Sequence, residues 1–165
     1  MKKPAIAIVL CLAAVICVLV AVNRKDSRKN DEAVRARQLE FEIDGISVFF
    51  AYDENDGRFA SFATKMKKRN GDVFDKEYSG LELKRIVDSM GYPLSGESAV
   101  TVVCADNYEI VLTGEEVLDE GNVYLVTRES GEELDEESGP FMLVVNHDEF
   151  STRWARNVVK IRING

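Results

Sequence analysis

The sequence predicts a sheet-rich α+β domain preceded by a single N-terminal transmembrane helix. Three observations predict it. Residues 4–22 form an uncharged, apolar run of 19. Short β-rich runs recur down the remainder, separated by Asp-Gly and Asp-Asn steps that suit tight hairpin turns. Two Ser/Thr-x-x-Glu spacings, Ser79/Glu82 and Thr113/Glu116, mark helix starts between those runs.

As a helix, residues 4–22 would reach about 28 Å, close to the hydrocarbon thickness of a bilayer. Lys2 and Lys3 precede the run, and Arg24, Lys25, Arg28 and Lys29 follow it. Its exit, LVAVNRK, is a poor cleavage site, and Leu10 and Ile16 stand where a lipoprotein signal wants a small residue before cysteine. An uncleaved signal anchor over residues 1–23 is the reading. A short basic tail before an anchor favours export of the domain. The count of flanking cations, four after the run against two before, favours the opposite orientation. The expectation is a single-pass membrane protein with an extracytoplasmic domain. Residues 24–40 are polar and mixed in charge, a linker. The folded domain is expected over residues 41–165.

Residues 41–50, FEIDGISVFF, alternate around Asp44-Gly45 as a hairpin. The following AYDENDG resembles a calcium loop, but its acidic spacing is off by one residue and no glutamate closes it. In residues 58–69, Phe59, Phe62, Ala63 and Met66 fall on one helical face, so a helix is predicted. The cations Lys65, Lys67, Lys68 and Arg69 would complement its C-terminal dipole. Residues 70–76 read as a turn or exposed loop around Asn70-Gly71. The Ser79 capping box predicts a second helix whose apolar face is Leu81, Leu83, Ile86, Val87 and Met90, ended by Gly91 and Pro93. Residues 99–104 and 108–112 are predicted strands joined at Asp106-Asn107. Thr113 opens a short helix to Leu118. Residues 122–128, 141–145 and 158–163 are predicted strands.

Charge excludes one class of partner. Residues 1–30 carry six Lys/Arg and one Asp; the remainder carry 15 and 28, a net −13. Such a domain repels phosphate backbones, so nucleic acid is not expected; the acidity reads first as solubility and would also suit a basic partner or loosely held cations. Six of the nine residues 129–137 are acidic and read as a surface turn. Cys104 is the one cysteine outside the apolar run, in a predicted strand, and reads as a buried inert thiol. His147 has no second histidine to complete a metal site. No phosphate loop, nucleophile elbow or carboxylate couple emerges. The residues therefore nominate no catalytic, cofactor-binding or metal-binding set.

The order of motifs, Y-S-G-L-E-L, D-N-Y, T-G-E-E-V-L, GPFMLVV and W-x-x-x-V-x-x-I, resembles the oxidoreductase molybdopterin-binding domain of the sulfite-oxidase-like family over residues 41–163. The family pattern there runs W/Y-x-G-v-x-L, D-G-Y, G-x-x-L, G-P-x-R-L-v-v-P and W-x-K-x-I. The resemblance implies a sheet-rich α+β fold and, where activity is kept, a molybdopterin cofactor. Family enzymes grip molybdenum through a cysteine upstream of the G-v-x-L segment; here MKKRNGDVFDKE precedes Tyr78. Met142 stands for the G-P-x-R arginine, and Asn146 for the following proline. Lys65, Lys67, Lys68 and Arg69 remain as cations for an anionic cofactor. The expectation is a membrane-anchored binding or scaffolding module that has lost its cofactor, with enzymatic activity left open. The alternative is a divergent molybdopterin-dependent oxidoreductase or a subunit of a redox complex.

Overall fold

A computed structural model describes residues 38–53 and 55–165. The predicted anchor and most of the predicted linker lie outside the described residues. Among the described residues, no helix is long and apolar enough to cross a membrane. Residues Gln38–Gly165 form one compact unit. Its first strand begins at Gln38, inside the stretch read as linker to residue 40.

The chain builds two sheets. In the first, β1 (Gln38–Ile43), β2 (Ile46–Ala51), β5 (Ala99–Cys104), β6 (Glu109–Thr113) and β10 (Val158–Asn164) lie in the order β2-β1-β10-β5-β6. Strands β1 and β10 run parallel, so the two ends of the domain sit side by side; the other neighbours are antiparallel. In the second sheet, β3 (Ala60–Lys67), β4 (Val73–Glu82), β7 (Val123–Glu129) and β8 (Glu132–Glu133) follow in order, and β9 (Met142–Val145) also pairs with β7. Helix α1 (Leu83–Ser89), helix α2 (Gly114–Leu118) and a 3-10 turn at Ser151–Arg153 complete the domain.

The main core includes Leu39 and Phe41 of β1, Val100 and Val102 of β5, Ile161 and Ile163 of β10, Leu83, Ile86 and Val87 of α1, and Leu125 and Leu143 of the second sheet. These strands show the alternation of sheets covered on one face: β5 buries Val100, Val102 and Cys104 and turns the residues between them outward. Both predicted hairpins of this sheet form. Asp44 and Gly45 both have positive φ, +48° and +82°, the signature of a type I′ turn. Asn107 takes φ +66° between β5 and β6. The Thr113 capping box also forms. The Glu116 N–H donates to Thr113 Oγ1 at 3.2 Å, and the Thr113 N–H donates to Glu116 Oε2 at 2.8 Å.

Two predicted helices are corrected. Within residues 58–69 the chain forms strand β3 (Ala60–Lys67) in place of a helix, and its Phe62, Thr64 and Met66 share a face with period two. Of residues 70–76, read as a turn or exposed loop, 70–72 belong to the turn joining β3 to β4, while 73–76 are already in β4, which pairs with β3 from Lys67↔Val73 to Ala60↔Gly80. The predicted Ser79–Glu82 capping box does not form. Ser79 lies within β4 and its hydroxyl is 2.7 Å from that of Ser61, while helix α1 starts only at Leu83, with Glu82 as an N-cap lacking a side-chain bond. As a strand, β4 satisfies its backbone against β3 and β7 together, which one more helical turn cannot match.

Strands β4 and β7 cross tightly at a bulge between Ser79 and Gly80. A Cβ on Gly80 would lie 2.2 Å from the Leu125 carbonyl oxygen, which is backbone and cannot give way. Gly80→Ala is therefore expected to cost about 1–3 kcal/mol and to lower the thermal unfolding midpoint by several degrees. An unchanged midpoint would mean that the two strands do not approach there.

Candidate ligand groove

The second sheet is apolar on both faces. Phe141, Leu143 and Val145 point into the main core, whereas Met142 and Val144 point the other way and join Tyr78 and Val126 in a second cluster. This is why residues 141–145 carry no polar position: the strand is buried on both sides. Phe62, Tyr124, Leu134 and Trp154 pack around this second cluster. The rings form a row. Tyr124 stacks on Phe62 with centroids 4.1 Å apart, Phe62 lies 6.3 Å from Tyr78, and Tyr78 meets Trp154 edge-on at 5.9 Å. Each such pair contributes roughly 0.5–1.5 kcal/mol beyond its burial. Trp154 is fixed by its indole N–H, which donates to the Val145 carbonyl at 3.0 Å.

A groove runs over this face. Two depressions of about 390 and 380 Å³ share Met66, Met142 and Arg156. The first continues past Lys76 and Tyr78 to Glu129, Glu133 and Asp135. The second continues past Trp154 to Lys68, Arg69, Ser151 and Thr152. One end is thus rich in carboxylates, the floor is apolar, and the other end is cationic. At the acidic end Lys76 pairs with Glu129. The Arg156 guanidinium meets Glu137 at 2.5 Å. Burial, with Glu129 nearby, pushes the Tyr78 phenol up to about 12.

The four cations singled out in the sequence separate. Lys68 and Arg69 reach the groove. Lys67 turns to Glu149 at 3.0 Å and lies 4.6 Å from the Phe150 ring centre. Lys65 is exposed and lines neither depression. The two positions that replace family residues have clear structural roles. Met142 is 3% exposed and forms the groove floor. Asn146 accepts from the Thr64 hydroxyl at 2.6 Å and donates through its side chain to the Gly121 carbonyl at 3.1 Å. Its backbone N–H donates to the Asn122 carbonyl at 2.7 Å, a bond that a proline could not make.

Other candidates are structural. Cys104 is 3% exposed in β5 of the first sheet, and burial together with Asp106 raises its thiol. His147 Nδ1 lies 2.7 Å from Asp119 Oδ2, both half-exposed. Among the described residues no cluster of His, Cys, Asp and Glu is arranged to hold a metal. Arg153 bridges Asp148 and Glu116, whose carboxyl it holds below the usual range. A more open depression of about 520 Å³ beside α1 is lined mostly by charged groups, including the Arg85–Glu82 ion pair. The sequence reading missed Met66, Tyr78, Trp154 and Arg156 as groove residues. For Met66 and Tyr78 the signal was the period-two pattern of β3 and β4, which puts both on one face of the sheet; Trp154 and Arg156 carried none.

The Tyr78 phenol predicts a pH dependence. Its folded value, about 12, lies above the ordinary 10. Its contribution to stability is complete below pH 10 and is lost as pH rises toward 12. Tyr78→Phe should therefore flatten the fall in stability between those limits, read by denaturant unfolding at a series of alkaline pH values. An unaltered profile would mean that the phenol is already solvated.

No family model matches the chain, and no curated protein matches it. Among solved structures, it is similar to the sulfane dehydrogenase SoxCD from Paracoccus pantotrophus, with a TM-score of 0.63 and 19% identical residues. The likeness covers 76% of this chain and 37% of that one, so this chain matches well under half of that chain's length. The domain thus has a sheet-rich α+β fold similar to that of a sulfite-oxidase-family protein.

Proposed function

We propose that this chain is a membrane-tethered, extracytoplasmic binding module that keeps a sulfite-oxidase-type fold without holding molybdopterin. One observation carries the reading: Met142, which the motif resemblance sets at the G-P-x-R arginine, is buried against Tyr78, Val126 and Val144. A thioether offers no charge to a phosphate, whereas a guanidinium offers a bidentate pair. The rest of the donor set is equally unsuited. Cys104, the one cysteine among the described residues, is buried in the other sheet and cannot supply the metal's thiolate at this groove. Glu129, Glu133 and Asp135 line one end and repel an anionic cofactor. The groove residues do not fit molybdopterin, and no redox step is derived from them.

The tether is residues 4–22, and the acidic domain suits a basic protein partner rather than nucleic acid. A second reading, a divergent molybdopterin-dependent oxidoreductase or a redox-complex subunit, draws on the fold likeness to a sulfane dehydrogenase. Metal analysis of the purified full-length protein, expressed in a host that makes the cofactor, separates the two. Molybdenum and pterin well below one per chain are expected. Stoichiometric metal would overturn the cofactor-free reading.

Membrane attachment is tested separately. The full chain should resist alkaline carbonate extraction, and a chain lacking residues 1–30 should be recovered as a soluble acidic monomer. Release of the full chain by carbonate would sink the tether.

A further inference from the structure

We propose that the Lys68–Arg69 end of the groove binds an organic anion: a phosphate, sulfonate or carboxylate joined to an aromatic or apolar body. The inference rests on the cofactor-free reading proposed above.

Charge makes this end unusual. Beyond residue 30 the chain carries a net −13, yet three cations and no carboxylate line this depression. The three are not equally available. Arg156 is already met by Glu137 at 2.5 Å. Lys68 lies 5.1 Å from the Phe74 ring centre, a contact that orients the ammonium without neutralising it. Arg69 makes no ion pair among the described residues. Two positive charges therefore face a pocket without an internal counter-ion. An anion arriving there replaces the anion the protein does not provide.

The floor sets the remainder of the ligand. Met66, Met142 and Trp154 present two thioethers and an indole beneath the cations. Thioethers and rings pack well against flat apolar groups. The Ser151 hydroxyl already donates to the Lys67 carbonyl at 3.0 Å, which leaves its oxygen free to accept. The volume, about 380 Å³, is at the small end of ligand sites. At the opposite end Glu129, Glu133 and Asp135 would reject a second negative charge, so the anionic head lies at Lys68 and Arg69 and the body over Met142. The same chemistry is offered by a free metabolite and by the headgroup of an anionic lipid.

Trp154 is the chain's one tryptophan and lines this depression, so its emission reports occupancy directly. The full-length protein in neutral nanodiscs is first assayed for molybdenum, which decides the cofactor-free reading independently. It is then titrated with phenyl phosphate, phenol and inorganic phosphate. Phenyl phosphate should give a saturable change in Trp154 emission, with phenol and inorganic phosphate each at least about tenfold weaker, roughly 1.4 kcal/mol. In a second arm the nanodiscs contain phosphatidate in place of neutral lipid. A response to phosphatidate alone would assign the anion to a membrane headgroup, and a response to phenyl phosphate alone to a soluble ligand. In the double variant Lys68→Glu/Arg69→Glu either response should weaken by at least about tenfold, with the thermal unfolding midpoint unchanged. No response in either arm, an equal response to phenol, or a response that survives the double variant would overturn the proposal.

Discussion

Strand β7 has almost no solvent-facing position between Val123 and Thr127. Val123 and Leu125 enter the main core, and Val126 enters the second cluster on the opposite face. A strand buried on both sides needs cover on both sides, and it needs its backbone paired along both edges. Strand β4 supplies one edge, and β9 with β8 the other. The first sheet and the helices cover one face. On the far face Val126 lies among Phe62, Tyr78, Met142 and Val144 of the neighbouring strands of the same sheet, and Trp154 and Leu134 pack against them from outside those strands. The groove runs along this face.

That constraint accounts for the placing of Met142 and Asn146. A methionine at position 142 completes an apolar layer with flexible packing. An asparagine at 146 joins β3 to the loop at Gly121 and Asn122 through three hydrogen bonds. Each is worth about 0.5–1.5 kcal/mol where the partners would otherwise be buried unpaired. Arg153 closes the same corner by bridging Asp148 and Glu116. Side-chain contacts organise this corner of the second sheet. What remains of positive charge sits at the rim, on Lys68 and Arg69.

Local chemistry was legible where it was decisive. Asp44-Gly45 and Asp106-Asn107 mark turns because Gly and Asn accept left-handed backbone, and both hairpins are present. The Thr113 and Glu116 pair satisfies both halves of its capping box. Elsewhere two periods fitted the same residues. Phe59, Phe62, Ala63 and Met66 match a helix, yet Phe62, Thr64 and Met66 match a strand equally well. Only a distant partner, β4, decides between them. Asn70-Gly71 was read as a turn or exposed loop, and the turn is present, joining β3 to β4. The Ser79–Glu82 spacing was coincidental, since Glu82 instead accepts the Gly121 N–H at 2.7 Å, across to another loop. The groove was illegible for the same reason. Its floor joins residues from positions 66 to 154, and no local pattern links them.

The central claim is that side chains, rather than a metal cofactor, complete the far face of the second sheet. Thermal unfolding of the full chain, produced in parallel from a host that synthesises molybdopterin and from one that cannot, tests it most directly. The account predicts identical midpoints in the two preparations. A midpoint clearly lower in the cofactor-free host would show that the fold depends on a group these side chains do not replace, and would contradict it.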